Sequence, residues 1–120
     1  ELNLTGDRQV NLKIKQILNS YKNPNIKEER NFSLTLSSNS KKIITTKDAS
    51  GNATKFKNEI TVDVQVSLNE EYKSNFVITE SFIYNANSNT AELKNDENRI
   101  KDNLTETIVE KILLKLTKIL

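Results

Sequence analysis

The segment from Phe56 to Leu68 alternates apolar and polar side chains with a period of two. This period indicates a β-strand with one buried face, because successive side chains of a strand point to opposite sides of the sheet. A slip of one residue would bury the polar set, so the pattern also restricts the register. The apolar phase holds Phe56, Ile60, Val62, Val64, Val66 and Leu68, interrupted only by Asn58. The polar phase holds Lys57, Glu59, Thr61, Asp63, Gln65 and Ser67.

Two shorter elements are predicted before this strand. Residues 1–5 alternate as a short first strand, and Asp7 is placed to cap the helix that follows it. The apolar positions of that helix have helical spacing: Val10, Ile14, Ile17, Leu18 and Tyr21. Pro24 disfavours helical geometry in the residue before it, so the helix is predicted to end near Asn23.

A second strand is predicted from Phe32 to Thr46, and it resumes the period of two. Its alternation fails at residues 37–40, where we predict a bulge or another irregularity of the strand. Residues 47–52 form a turn in this interpretation, since Gly51 takes a positive φ without steric cost.

The last third of the chain predicts one more strand and a long helix. Phe76, Ile78, Phe82 and Tyr84 mark the strand, and Asn89 with Glu92 indicates a capping box before a helix that continues to Leu120. Such a helix is about 46 Å long, whereas a compact chain of this size is only about 35 Å across. We therefore predict one elongated α+β domain over residues 1–120: a two-layer sandwich, order β-α-β-β-β-α, with a mainly antiparallel four-stranded sheet and both helices on one face.

Composition disfavours catalysis. The chain has no cysteine and no histidine, and its only glycines, Gly6 and Gly51, cannot form a phosphate-binding loop. We predict no catalytic residue, no metal site and no cofactor. Residues 1–57 contain eleven basic against five acidic side chains, so an anionic partner would bind this half; nucleic acid is disfavoured because no basic motif or stacking aromatic set is present. Solvated surface lysines are the alternative explanation.

Several short motifs occur in a recognisable order: Lys47-Asp48, Gly51-Asn52-Ala53-Thr54-Lys55-Phe56, Ser81-Phe82, Tyr84-Asn85, Lys94-Asn95-Asp96-Glu97 and Glu110-Lys111-Ile112-Leu113-Leu114-Lys115-Leu116. Together with the order of elements, they resemble the LPS-assembly lipoprotein family LptE. The resemblance implies a non-enzymatic lipoprotein on the periplasmic side of the outer membrane of a Gram-negative bacterium. It implies that the domain plugs an LptD-like β-barrel, helps that barrel assemble, and binds lipopolysaccharide. A lipid-bearing cysteine is implied upstream of these residues.

The resemblance also directs attention to particular residues. The family's lipopolysaccharide contacts fall here at Ala49 and Leu93, which are uncharged, so the neighbouring Lys47, Lys55 and Lys94 are the candidates for this role. The candidate barrel contacts are the polar phase of the long strand: Lys57, Glu59, Thr61, Asp63, Gln65 and Ser67. An alternative is a periplasmic scaffold lipoprotein that binds another envelope protein without a lipid ligand. A carboxylate-based hydrolase is a third possibility, and it requires two or more buried acids in one pocket.

Overall fold

The computed structural model describes residues 2–20, 32–68 and 71–119. Its elements are β1 (Leu2–Gly6), α1 (Arg8–Ser20), β2 (Phe32–Lys47), β3 (Ala53–Leu68), β4 (Glu71–Asn85) and α2 (Thr90–Ile119). This is the predicted order, and it confirms the α+β class. The predicted helix end near Asn23 lies outside the described residues, as does Tyr21.

The four strands form one mixed sheet in the order β1-β2-β3-β4. β1 pairs with β2 in parallel, and the other two pairs are antiparallel. The long strands and α2 give the molecule principal extents of 60 × 25 × 21 Å. The elongated shape predicted from element lengths is therefore confirmed.

β2 is continuous where the sequence predicted a bulge. Each of residues 37–40 pairs with a residue of β3 in an unbroken register, so that prediction was wrong. The alternation fails there because Ser38 takes a core-facing position that an apolar residue would normally occupy, and Ser38 is buried. The register shifts instead between Ile44 and Lys47, beside the turn.

The apolar phase of β3 forms the centre of the core. Its members Ile60, Val62, Val64 and Val66 are at most 1% exposed. Both helices cover this face. The α1 residues Val10 and Ile14 and the α2 residues Leu104, Ile108, Val109, Ile112 and Leu116 belong to the same buried cluster. Each buried aliphatic side chain contributes about 1.5–3 kcal/mol by leaving water, so this face holds the two layers together.

Buried polar side chains in the described part of the chain all have hydrogen-bond partners. Asn58, the polar interruption in the apolar phase, accepts a hydrogen bond from Ser40 at 3.3 Å. Ser38 donates to Asn11 Oδ1 at 2.7 Å, which ties β2 to the first turns of α1. These pairings explain how polar residues are tolerated on the core face, since an unpaired buried polar group would be costly.

Asp7 caps α1 as predicted, and it also links the two helices. Its Oδ1 accepts the N–H of Val10 at 3.0 Å, and its Oδ2 forms an ion pair of 2.9 Å with Lys101 of α2. Burial raises the pKa of Asp7, but the hydrogen bonds from Lys101 and Val10 and the charge of Lys101 lower it more. The pKa of Asp7 therefore lies below its ordinary value, and the start of α1 is fixed against α2.

The start of α2 differs in detail from a capping box. Asn89 is the cap, since its Oδ1 accepts the N–H groups of Ala91 and Glu92 at 3.1 Å each. In a capping box Glu92 would bind the backbone of Asn89. Here the Glu92 carboxylate accepts from the side chain of Asn87, and the Asn87 side-chain oxygen accepts the N–H of Asn89.

Candidate functional site

The polar phase of β3 lies on the side of the sheet opposite the helices, which we call the open face. The register places all six candidate barrel contacts there, because their neighbours in the alternation face the core. Lys57 and Glu59 form an ion pair of 3.5 Å within the strand. Thr61 shares a hydrogen bond of 3.1 Å with Thr79 of β4. The open face thus offers charges, hydroxyl groups and amides.

Apolar side chains also occupy the open face, and sequence reasoning missed them. Val77 and Ile83 of β4 are 58% and 56% exposed. Ile43 of β2 lies opposite Lys57, with Ile83 on the other side of that lysine. The available signal was the pair of uninterrupted apolar runs at residues 76–78 and 82–84, because a strand with consecutive apolar residues has them on both faces.

The three candidate lysines do not form one group. Lys47 is paired with Ala53 and Lys55 with Asn85, and both lysines are exposed beside the turn between β2 and β3. Lys94 is exposed on α2, which covers the opposite face of the sheet. Lys47 and Lys55 therefore both lie beside the turn of the sheet, whereas Lys94 lies in the helical layer, where its charge acts on Glu97.

A compact cluster at the same end of the domain was not predicted. The Lys42 ammonium lies 4.2 Å from the ring centre of Phe56, and it forms an ion pair of 2.9 Å with Glu97 of α2. The Tyr84 hydroxyl donates to the same carboxylate, and its ring lies 5.7 Å from that of Phe56. We call Lys42, Phe56, Tyr84 and Glu97 the α2 anchor, because they join three strands to α2.

Electrostatics in the α2 anchor favour a charged carboxylate and a neutral phenol. Burial raises the pKa of Glu97, but hydrogen bonds from Tyr84 and Lys42 and the charges of Lys42 and Lys94 lower it more, so the pKa lies below its ordinary value. Burial, the hydrogen bond to Glu97 and the Glu97 charge all raise the pKa of Tyr84. Lys94 thus has a carboxylate neighbour, which leaves it less available to an external anion than Lys47 or Lys55.

Comparison with solved structures places this fold among bacterial lipoproteins. No protein-family model and no curated protein sequence matches the chain. The rare lipoprotein B of Shewanella oneidensis superposes with a TM-score of 0.70 at 17% identity, over 98% of this chain and 93% of that one. A proposed lipoprotein of Caulobacter crescentus gives 0.67 at 13% identity, over 98% and 88%. The minor lipoprotein of Acinetobacter baumannii gives 0.59 at 17% identity, over 92% and 88%.

At these identities the likeness shows a shared fold. The structural neighbours are bacterial lipoproteins, in agreement with the fold that the LptE resemblance implies. The match covers nearly the whole of each chain, so the shared fold extends over the full domain.

The described residues contain no group of three or more acids that would hold a metal ion, and the buried polar residues among them are Ser38, Asn58 and Thr105. No carboxylate is in that buried set, whereas the hydrolase alternative requires two or more buried acids in one pocket. Within the same residues, neither helix has the length and apolar character needed to cross a membrane.

The α2 anchor predicts how Tyr84 titrates. In the folded domain its hydroxyl should lose its proton above the ordinary pKa of about 10, because burial disfavours the phenolate and deprotonation would also break the hydrogen bond to Glu97 and place a second negative charge beside it. A group whose pKa is raised on folding stabilises the folded state at pH values below its unfolded-state pKa. This contribution is lost as the pH rises through the folded-state pKa. Glu97→Gln should lower the pKa of Tyr84, measured by NMR of the Tyr84 ring carbon. Glu92→Gln, which removes an acid outside the anchor, should leave it unchanged; an equal shift in both variants would contradict the assignment.

Proposed function

We propose that this domain is a non-enzymatic lipopolysaccharide-assembly factor of the bacterial outer membrane, which plugs and helps assemble an LptD-like β-barrel from the periplasmic side. A lipid on an upstream cysteine would anchor it. The observation that carries the proposal is the open face of an elongated body, which is polar along β3 and free of helices in the described part of the chain. The shared fold with bacterial lipoproteins supports an envelope role.

The dimensions and chemistry of the domain suit a barrel lumen. Large outer-membrane barrels have polar interiors, and the largest hold a plug. A plug must therefore present polar groups to the barrel wall, and the hydroxyl, amide and charged side chains of the open face provide them. The two shorter dimensions of the body are 25 and 21 Å. With its long axis along the barrel axis, the body presents this narrow cross-section to the lumen. Val77 and Ile83 would add apolar contact area within this polar surface.

Lipopolysaccharide would approach the end of the sheet that holds the β2–β3 turn. Residues 41–57 contain five lysines and one acid. Lys47 and Lys55 form no ion pair among those found in the described residues. An exposed ammonium binds phosphate through charge without a fixed geometry, so these two lysines are the better candidates, and the interaction should weaken with salt.

Co-expression with the large outer-membrane barrel of the same organism tests the plug. The tagged domain should co-purify with the barrel in equal amounts. Gln65→Arg, a bulky charged replacement on the open face, should reduce recovery of the complex at least about tenfold, because a misfitted charge at an interface costs several kcal/mol. Gln16→Arg is the matched control, since Gln16 is exposed on α1, and it should leave recovery unchanged. Equal behaviour of the two variants, or no association of the folded partners, would refute the plug.

Lipid binding is tested separately. A variant with Lys47, Lys55 and Lys94 replaced by alanine should bind purified lipopolysaccharide several-fold more weakly at low salt, and the difference should shrink at high salt. Its control replaces Lys15, Lys115 and Lys118, which changes the net charge equally on other surfaces. If the triple variant at Lys47, Lys55 and Lys94 binds lipopolysaccharide like the unmodified domain, the lysine site is rejected. If the barrel complex forms but the unmodified domain does not bind lipopolysaccharide, the scaffold alternative replaces the lipid-binding role.

A further inference from the structure

β4 is the outer strand of the sheet along its whole length, Glu71–Asn85. Among the described residues no strand lies on its far side. An edge strand presents a row of backbone N–H and C=O groups that a further strand can pair with. A fifteen-residue edge is long compared with the usual strand of about five or six residues.

The register identifies which residues of β4 direct their backbone N–H and C=O groups away from β3. The N–H of Ala86 donates to the carbonyl of Thr54 at 2.9 Å, so this pair belongs to the hydrogen-bonded class of an antiparallel ladder. Hydrogen-bonded and non-hydrogen-bonded pairs alternate, and the register from Ser74 to Asn85 is unbroken. The residues whose backbone groups point away from β3 are therefore Asn75, Val77, Thr79, Ser81, Ile83 and Asn85.

The opposite edge of the sheet is formed by β1, which has only five residues, and by the part of β2 beyond Ser38, where β1 no longer pairs with it. That part of β2 contains three lysines. Lysines and prolines on an edge discourage pairing with other chains. Residues 74–85 contain neither. Their one charged residue, Glu80, is paired with Lys111 of α2.

A cleft of about 440 Å³ runs between β4 and α2 at the end that holds the β2–β3 turn. Phe82, Tyr84, Ile100 and Asn103 are among the residues that line it. Asp96 and Arg99 also line it, but they are paired with each other. The lining is therefore mixed: Phe82 and Ile100 give it an apolar wall, and the asparagines and the Asp96–Arg99 pair give it polar groups. Phe82 is 53% exposed and forms part of its wall.

We infer that β4 accepts an extended segment of a partner protein as a fifth strand, with an apolar side chain of that segment in the cleft beside Phe82. Backbone groups at strand spacing are matched by another polypeptide and not by a lipid or a sugar, and strand addition uses such an edge for affinity and a neighbouring pocket for specificity. The inference is independent of lipopolysaccharide binding and of the plug.

A second copy of this chain is a poorer occupant. The flank of α2 above β4 presents Lys115, which lies 5.4 Å from the ring centre of Phe76 and, unlike Lys111, forms no ion pair among those found in the described residues. Antiparallel pairing of two β4 strands would place the Lys115 side chains of both copies on the same side of the joined sheet. Like charges brought together oppose association.

Selection from a phage-displayed library of random peptides of about ten residues tests the proposal, because it supplies extended segments without assuming a partner. Selected sequences should have apolar residues at alternate positions. On binding a synthetic version of one of them, the amides of Thr79, Ser81 and Ile83 should become protected from hydrogen exchange. The amides of Ile78, Glu80 and Phe82 should be protected already, because they pair with β3.

Variants then separate the edge from the cleft. Ser81→Pro removes one outward N–H without removing a bond to β3, and it should weaken peptide binding at least about tenfold. Phe82→Ala should weaken it about fivefold through loss of apolar contact. Ser81→Thr keeps the N–H, and Leu12→Ala removes an exposed apolar side chain from α1, so both should stay within about twofold.

Four results would overturn the inference. The first is that the library yields no binder, and the second is that Ser81→Pro binds peptide with unchanged affinity while its inward amides remain protected. The third is that peptide protects amides elsewhere in the chain. The fourth is that, without peptide, protection of the outward amides rises with protein concentration. The last result would assign the edge to a second copy.

Discussion

Replacing Gly6 with alanine is expected to lower the free energy of unfolding by about 3 kcal/mol or more. Gly6 has φ of +99°, a region that side chains with a Cβ rarely adopt. A Cβ at this position would also lie 2.0 Å from the backbone oxygen of Ser38. That oxygen accepts the N–H of Asp7, so it cannot retreat without loss of the contact at the start of α1.

Gly51→Ala is the matched control for this variant. Gly51 has a similar φ of +86°, but a Cβ there would meet no atom within 4 Å. Alanine at this position should lower the free energy of unfolding only through its unfavourable backbone conformation, by about 1–2 kcal/mol. Urea unfolding of both variants, followed by circular dichroism, gives the comparison. If the two variants lose equal stability, the close approach of Gly6 to Ser38 has no energetic importance.

The two glycines show what the sequence predicts and what it does not. Gly51 is recognisable because it lies in a local turn between two alternating segments, and the structure confirms that turn. The requirement at Gly6 arises from Ser38, 32 positions later in the chain, and it exists only after β1 and β2 have paired. Local turn chemistry is encoded in adjacent residues, whereas a close approach of two strands depends on their register.

The same distinction applies to the candidate surfaces. The open face followed from the alternation in β3, since a period of two assigns every residue to a side. The α2 anchor did not follow, because Lys42 and Glu97 are far apart in sequence and meet only when α2 lies on the sheet. The apolar residues Val77 and Ile83 were missed because only one phase of β4 was assigned. Consecutive apolar residues on an edge strand predict two apolar faces.

The alternation in β3 gives the other large expected effect. Val64→Lys should destabilise the domain by about 4 kcal/mol or more, whereas Gln65→Lys should change its stability by less than about 0.5 kcal/mol. Val64 is 1% exposed and lies between Leu36 and Phe76 on the core face. Gln65, the next residue, is exposed on the open face.

The loss of stability in Val64→Lys should depend on pH. This dependence distinguishes the effect of a buried charge from that of a side chain that only fits poorly in the core. Burial lowers the pKa of a lysine in the folded state below its unfolded value of about 10.4, so the unfolded state binds more protons between the two values. The stability of Val64→Lys relative to Gln65→Lys should therefore rise from pH 6 to pH 10. Urea unfolding of both variants across this range measures it. A difference that stays constant with pH would mean that the new ammonium reaches solvent, and that the core face of β3 is less closely covered by α1 and α2 than the buried Val64 indicates.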